Sequence, residues 1–189
     1  MTARWVVDEV QPQRDVRITW QPISLLEKNQ PPKDSPYYER SFQTHRYLRV
    51  MESLRAAEGD GPVQAFYWEL GRRIHHDGNV AFDPAEALAA AGLATGHAEA
   101  FDDESWDAEI GKRMKVGLDL AGDDVGTPLI ALDDDNGDRV ALFGPVITRV
   151  PTSELSLRLW DGLVACATVP GFWELKRTRT ERPEFGDRP

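Results

Sequence analysis

The sequence of 189 residues predicts an α/β fold, and three observations carry that expectation. Val16, Ile18 and Trp20 alternate with Arg17 and Thr19, the period-two pattern of a strand with one buried face. Residues 129–132 and 140–143 are short apolar runs joined by the acidic, glycine-bearing segment 133–138, which reads as a β-hairpin. Between residues 38 and 118, apolar side chains recur every three or four positions, the helical period.

The composition narrows what the chain can be. At 189 residues it holds one full-sized domain with a helical insertion, and is short for two independent ones. Lys and Arg number 22 against 32 Asp and Glu, a net charge of −10 that opposes nucleic acid and anionic membranes. The basic cluster at 176–182 has Glu174, Glu181 and Glu184 beside it and reads as a solvated tail. No apolar run approaches a membrane span, and the first residues lack the apolar core of a signal peptide, so a cytoplasmic location is expected. The single cysteine, Cys166, excludes an internal disulfide framework; between Ala165 and Ala167 on an apolar helical face, it is expected to be buried and inert.

Trp5, Val6 and Val10 lie on one side of an opening helical segment, which reads as the latter part of a helix. Residues 11–14 connect it to the strand at 16–20, and residues 22–36 form a loop broken by Pro31, Pro32 and Pro36. Phe42, Tyr47, Leu48, Met51 and Leu54 mark a helix from Tyr38 to Glu58, stopped at Gly59. Pro62 suits the first turn of the next helix, whose stripe is Val63, Phe66, Tyr67, Leu70 and Ile74. Asp83 is placed to cap a short helix with Pro84 at its first position. Trp106, Ile110, Met114 and Leu118 recur every four residues and lead to the turn at Gly122. After the hairpin, Pro151 and Ser153 open a last helix with Leu155, Leu159, Trp160, Leu163, Val164 and Ala167 expected to face inward. Phe172 and Trp173 are expected to pack back onto the body.

Metal chemistry is not indicated. His75 and His76 are neighbours on a helix and point about 100° apart, so both cannot easily ligate one ion. His45 and His97 lack supporting ligand spacing. The acidic segment 133–138 echoes part of a calcium loop without its closing glutamate, and a hairpin turn explains it better.

Pro128 opens the first hairpin strand, where a ladder N–H is normally wanted. An X–Pro bond adopts the cis form at modest cost, and small Gly126 and Thr127 leave room for a ligand to approach the backbone. Read by itself, the stretch is a proline-led edge strand. Val125-Gly126-Thr127-Pro128, with the hairpin ending Phe143-Gly144-Pro145, resembles the C-terminal half of DsbA-like thioredoxin-fold proteins. Within them it looks most like the FrnE and mycothiol-dependent nitroreductase branch, on Gly71-Arg72-Arg73-Ile74-His75, Leu159-Trp160-Asp161 and Phe172-Trp173-Glu174-Leu175-Lys176-Arg177.

That resemblance implies a thioredoxin-like fold with an all-helical insertion of the DsbA type: residues 1–36 and 119–189 in the thioredoxin-like part, 37–118 in the insertion. It implies thiol–disulfide exchange, with a thiol or disulfide substrate and a low-molecular-weight thiol such as mycothiol as co-substrate and no bound cofactor. Val125, Gly126, Thr127 and Pro128 are the implied substrate-binding residues, with Asn29 and Tyr37 as further pocket-lining candidates. The family's Cys-x-x-Cys is absent from this chain, so no catalytic residue is assigned and the chain is expected to be redox-inert by that route. The first strand and the start of the first helix are also missing from the implied pattern, and a native chain is expected to start upstream of Met1. A redox-inactive module that holds a thiol ligand or an extended peptide is the alternative, and a homodimer is left open.

Overall fold

The computed structural model describes residues 1–189. They form a mixed α/β structure, mostly helical, with one two-stranded sheet. The chain divides into two compact units, residues 1–18 with 117–186, and residues 19–116 with 187–189.

The second unit is helical. Its core helix, α3 (Tyr38–Glu58), follows a short helix, α2 (Leu25–Asn29), and precedes α4 (Gly61–Gly71), whose last turn widens into a π-helical segment, Arg72–His76. Then come α5 (Pro84–Ala90) and a 3-10 segment, Thr95–Asp102. Tyr47, Val50 and Leu54 of α3 pack with Phe66, Leu88 and Phe101 in a core from which water is excluded. Asp83 caps α5 as its side chain accepts the Ala85 N–H at 2.8 Å, with Pro84 at the first helical position. The segment read as a plain loop, 22–36, contains α2, because Ser24 caps its start by accepting the Glu27 N–H at 3.1 Å.

The first unit carries the opening helical segment, α1 (Thr2–Trp5) continued by Val6–Val10 in π-helical form, together with the sheet and α7 (Ser153–Thr168). Trp5 and Val10 are fully buried. The long helix α6 (Asp107–Ala121) enters this unit at Gly117; its buried residues, Ile110 and Met114, belong to the second unit. Strands β1 (Leu129–Asp133) and β2 (Arg139–Phe143) pair antiparallel, Leu129 opposite Phe143 and Asp133 opposite Arg139. Asp134 makes the reversal: its carboxylate accepts the N–H groups of Asn136 and Asp138 at 2.8 and 2.9 Å, and Gly137 supplies the positive φ of 83°.

Four expectations are corrected. Residues 16–20 alternate half-buried and exposed as anticipated, yet they form no strand, because the sheet holds only β1 and β2 and neither ladders with them. Helix α7 exists, but its apolar face is not buried: Ser156 alone is fully covered and Leu155 is 50% exposed. A two-stranded sheet has too little surface to cover a 16-residue helix. For the same reason Cys166 is half-buried rather than buried, and Trp173 stands 87% exposed where packing was expected.

Candidate functional site

The ledge at residues 125–128 is built by the end of α6, the turn at Gly122 (φ 96°), and the start of β1. Val125 and Pro128 are half-buried and hold it in place, while Gly126 and Thr127 are exposed. Gly126 sits close to Phe143: a Cβ there would meet the ring at 3.2 Å, so a larger residue needs that ring to give way. The Thr127–Pro128 bond is cis, and so is Gly144–Pro145 on the facing strand, which the sequence did not single out. Gly144 donates its N–H to the Pro128 carbonyl at 2.8 Å, and Thr2 Oγ1 donates to the Pro145 carbonyl at 2.7 Å. Trp5 donates its indole N–H to the Ser156 carbonyl at 3.3 Å and packs on Trp160 at 6.0 Å, so the opening helical segment is fastened to α7.

The Pro128–Gly144 bond sets the hydrogen-bonding phase of the hairpin. By alternation Ile130 and Leu132 direct their peptide groups at β2, and Leu129 and Ala131 direct theirs outward. No other strand meets that outer edge, so the ledge continues into a row of open donors and acceptors. Such an edge hydrogen-bonds an extended ligand. It offers no nucleophile, since Cys166 lies within α7 and is the chain's one cysteine.

The other candidate binding residues belong to the helical unit. Asn29 ends α2 and is exposed, and Tyr37 precedes α3 at 72% exposure. Burial pushes the His75 pKa down, with Arg40 and His76 adding to the effect.

That unit contains two polar arrangements which sequence reasoning missed. In the first, Ser24 Oγ lies 2.9 Å from His45 Nδ1, and His45 Nε2 lies 3.0 Å from Asp107. The order serine–histidine–aspartate invites a nucleophile reading. Access decides against it: Ser24 is 1% and His45 3% exposed, and Asp107 is already clamped by Arg49 through Nε at 2.6 Å and Nη2 at 2.8 Å. The array joins α2, α3 and α6. Burial pushes the Asp107 carboxyl up, but the Arg49 hydrogen bonds and the Arg49 and His45 charges outweigh it and hold it below the usual carboxylate range. Glu27, 3.8 Å from His45, moves the other way because desolvation dominates.

The second arrangement lines a cleft of about 360 Å³ with Glu52, Arg55, Ser105, Trp106, Glu109 and Arg113. Glu52 is 1% exposed and accepts from Arg55 Nε at 3.2 Å, and Arg55 also reaches Asp60 and the Trp20 carbonyl. Arg113 Nε lies 2.9 Å from Glu52 and 3.0 Å from Glu109, within ion-pair distance of both but aligned for a hydrogen bond with neither. Two carboxylates and two guanidiniums cancel, so the cleft presents no net charge to an ionic ligand.

Comparison with known proteins places the chain. Residues 1–177 match the family model described as Rv2466c-like, mycothiol-dependent nitroreductase Rv2466c. The chain belongs to the Rv2466c-like family. A relative, the uncharacterized protein Rv2286c of Mycobacterium tuberculosis (strain ATCC 25618 / H37Rv), is 26% identical over 183 residues, covering 95% of this chain and 76% of its own. The Rv2466c-like match takes in the ledge, the hairpin and α7, and it associates the chain with mycothiol-related redox chemistry. No helix is long and apolar enough to cross a membrane.

Proposed function

We propose that this chain is the ligand-holding part of a DsbA-like thioredoxin-fold system for thiol–disulfide exchange, working in the cytoplasm with mycothiol or a similar low-molecular-weight thiol as co-substrate. Residues 37–118 are its helical insertion. Val125, Gly126, Thr127 and Pro128 form the docking ledge, on which the exposed backbone of Thr127 hydrogen-bonds a sulfur-bearing ligand in strand fashion. The attacking thiolate such chemistry needs is not among this chain's residues, so the chain by itself turns over no disulfide.

One observation carries the reading: an exposed Gly126-Thr127 backbone directly ahead of Pro128, in a chain matched over residues 1–177 by a mycothiol-dependent family. The second reading, a binding module for an extended peptide, draws on the same exposed backbone and the same missing dithiol. Calorimetric titration of the chain with mycothiol and with an unrelated extended peptide separates them. Saturable mycothiol binding, weakened about ten-fold or more by Gly126→Val, is the expected result. Binding of the peptide alone favours the module. Reduction of a disulfide substrate by the chain as it stands, abolished by Cys166→Ser, overturns both.

A further inference from the structure

The cleft lined by Glu52, Arg55, Ser105, Trp106, Glu109 and Arg113 has no part in the redox reading. All of these residues fall between positions 52 and 113, inside the helical unit, and none belongs to the ledge. Its walls are α3, α6 and the 3-10 turn Glu104–Trp106 that leads into α6. Asp103 fixes that turn, its carboxylate accepting the Ser105 N–H at 2.9 Å. At about 360 Å³ the cleft lies toward the lower end of small-ligand sites, which run from about 300 to 1,000 Å³.

The two guanidiniums differ. Arg55 is committed through all three nitrogens, Nε to Glu52, Nη1 to Asp60 and Nη2 to the Trp20 carbonyl. Arg113 is not locked in this way: its Nε is buried without an acceptor, although Glu52 lies 2.9 Å and Glu109 3.0 Å from it. The Arg113 side chain is nonetheless 31% exposed, and a guanidinium carries five N–H donors. An anion is a poor acceptor for them, because it would stand beside both carboxylates. A cation fares no better, since Glu52 and Glu109 already face Arg55, Arg113 and Lys112. A neutral hydroxyl accepts from the guanidinium through its lone pairs and donates to a carboxylate through its proton, so it satisfies both neighbours at once. Trp106, half-buried, adds a flat apolar wall for the C–H face of a ring.

We propose that this cleft binds a neutral sugar of one or two rings, its C–H face on Trp106 and its hydroxyls bridging Arg113 and Glu109. Neighbouring hydroxyls on a sugar ring match neighbouring donor and acceptor groups of opposite charge, which is what the Arg113–Glu109 pair on one face of α6 supplies. Because the charges of the lining cancel, selectivity comes from hydrogen-bond geometry and the aromatic wall rather than from net attraction. The site does not rest on the redox reading, because it uses neither a thiol nor the ledge.

Titration of the full chain, followed by proton–nitrogen NMR, with D-glucose, D-galactose, D-mannose, sucrose and maltose in turn tests the proposal. At least one sugar should give saturable shifts centred on the Trp106 indole N–H and the Arg113 Nε–H, and the charged controls L-glutamate and spermidine should give none there. Trp106→Leu removes the flat ring and keeps apolar bulk, and Arg113→Met removes the donors. Each should raise the sugar Kd about ten-fold or more. Gly126→Val, which weakens mycothiol binding in the reading above, should leave sugar binding unchanged, so the two readings fail separately. If Arg113→Met or Trp106→Leu does not fold, the position of the shifts in the wild-type chain decides. No saturable shift with any of the sugars, shifts centred elsewhere, a Kd that a folded variant leaves unmoved, or a charged control that saturates the cleft overturns it.

Discussion

Asp107→Ala should destabilise the helical unit more than any other single change at a half-exposed surface position. The carboxylate receives three hydrogen bonds, from Arg49 Nε at 2.6 Å, Arg49 Nη2 at 2.8 Å and His45 Nε2 at 3.0 Å. Bonds to a charged group contribute about 1.5–3 kcal/mol each, but they share one acceptor and do not add. Breaking a buried ion pair by removing one partner costs about 3–5 kcal/mol, because the other charge stays buried. Arg49 is 5% exposed, so that condition holds for it. The Asp107 side chain is 34% exposed, so water re-enters the vacated space and the expectation falls to the low end, about 3 kcal/mol. Urea unfolding followed by far-UV circular dichroism should show a lower midpoint with an unchanged slope. In a double-mutant cycle, Arg49→Met combined with Asp107→Ala should recover about 2 kcal/mol relative to the sum of the single changes. A loss below about 1 kcal/mol, or strict additivity, would refute the assignment of this array as the staple of α2, α3 and α6.

Three further outcomes are expected. The folded-state pKa of Asp107 is depressed, so its contribution is complete above the ordinary carboxyl value of about 3.9 and is lost as pH falls through the folded value; the stability gap between wild type and Asp107→Ala should close in acid, and a gap that widens there contradicts it. Tyr47→Phe removes a hydroxyl that donates to the Phe82 carbonyl at 2.9 Å and accepts the Phe82 N–H at 3.1 Å, and should cost about 1–2 kcal/mol in chemical denaturation. Gly144→Ala places a side chain at φ 100° with its Cβ 3.3 Å from the Val146 nitrogen, whereas Gly137→Asn meets nothing within 4 Å at φ 83°. Thermal melts should show the first lowering stability by at least about 1 kcal/mol and the second leaving it nearly unchanged.

Much of the fold was legible because periodicity reports it directly. The apolar recurrence at 38–58 matches α3 residue for residue at its ends, and the acidic hinge between two apolar runs matches the β1–β2 hairpin within one residue on each strand. That Pro128 leads into the first hairpin strand was legible as well, since those residues are contiguous. The polar stripe of α3 was not. Ser41, His45, Arg49, Glu52 and Arg55 recur at helical spacing and are all buried, yet polar spacing of that kind ordinarily marks a solvated face. Asp107, far along the chain, pairs with both His45 and Arg49 and makes their burial tolerable, with Ser24 completing the partners of His45, and sequence distance hides it.

From sequence alone came the helices, the hairpin, the proline that leads into it and the lack of a second cysteine, all properties of neighbouring residues or of composition. Tertiary structure decided which of those faces find cover. Residues 16–20 have the alternation of a strand and α7 the stripe of a buried helix, but a ladder needs a partner's peptide groups and a stripe needs an opposing surface. Neither requirement is written in the segment that has it, and so an unladdered segment at residues 16–20 and a half-covered α7 appear only in the folded structure.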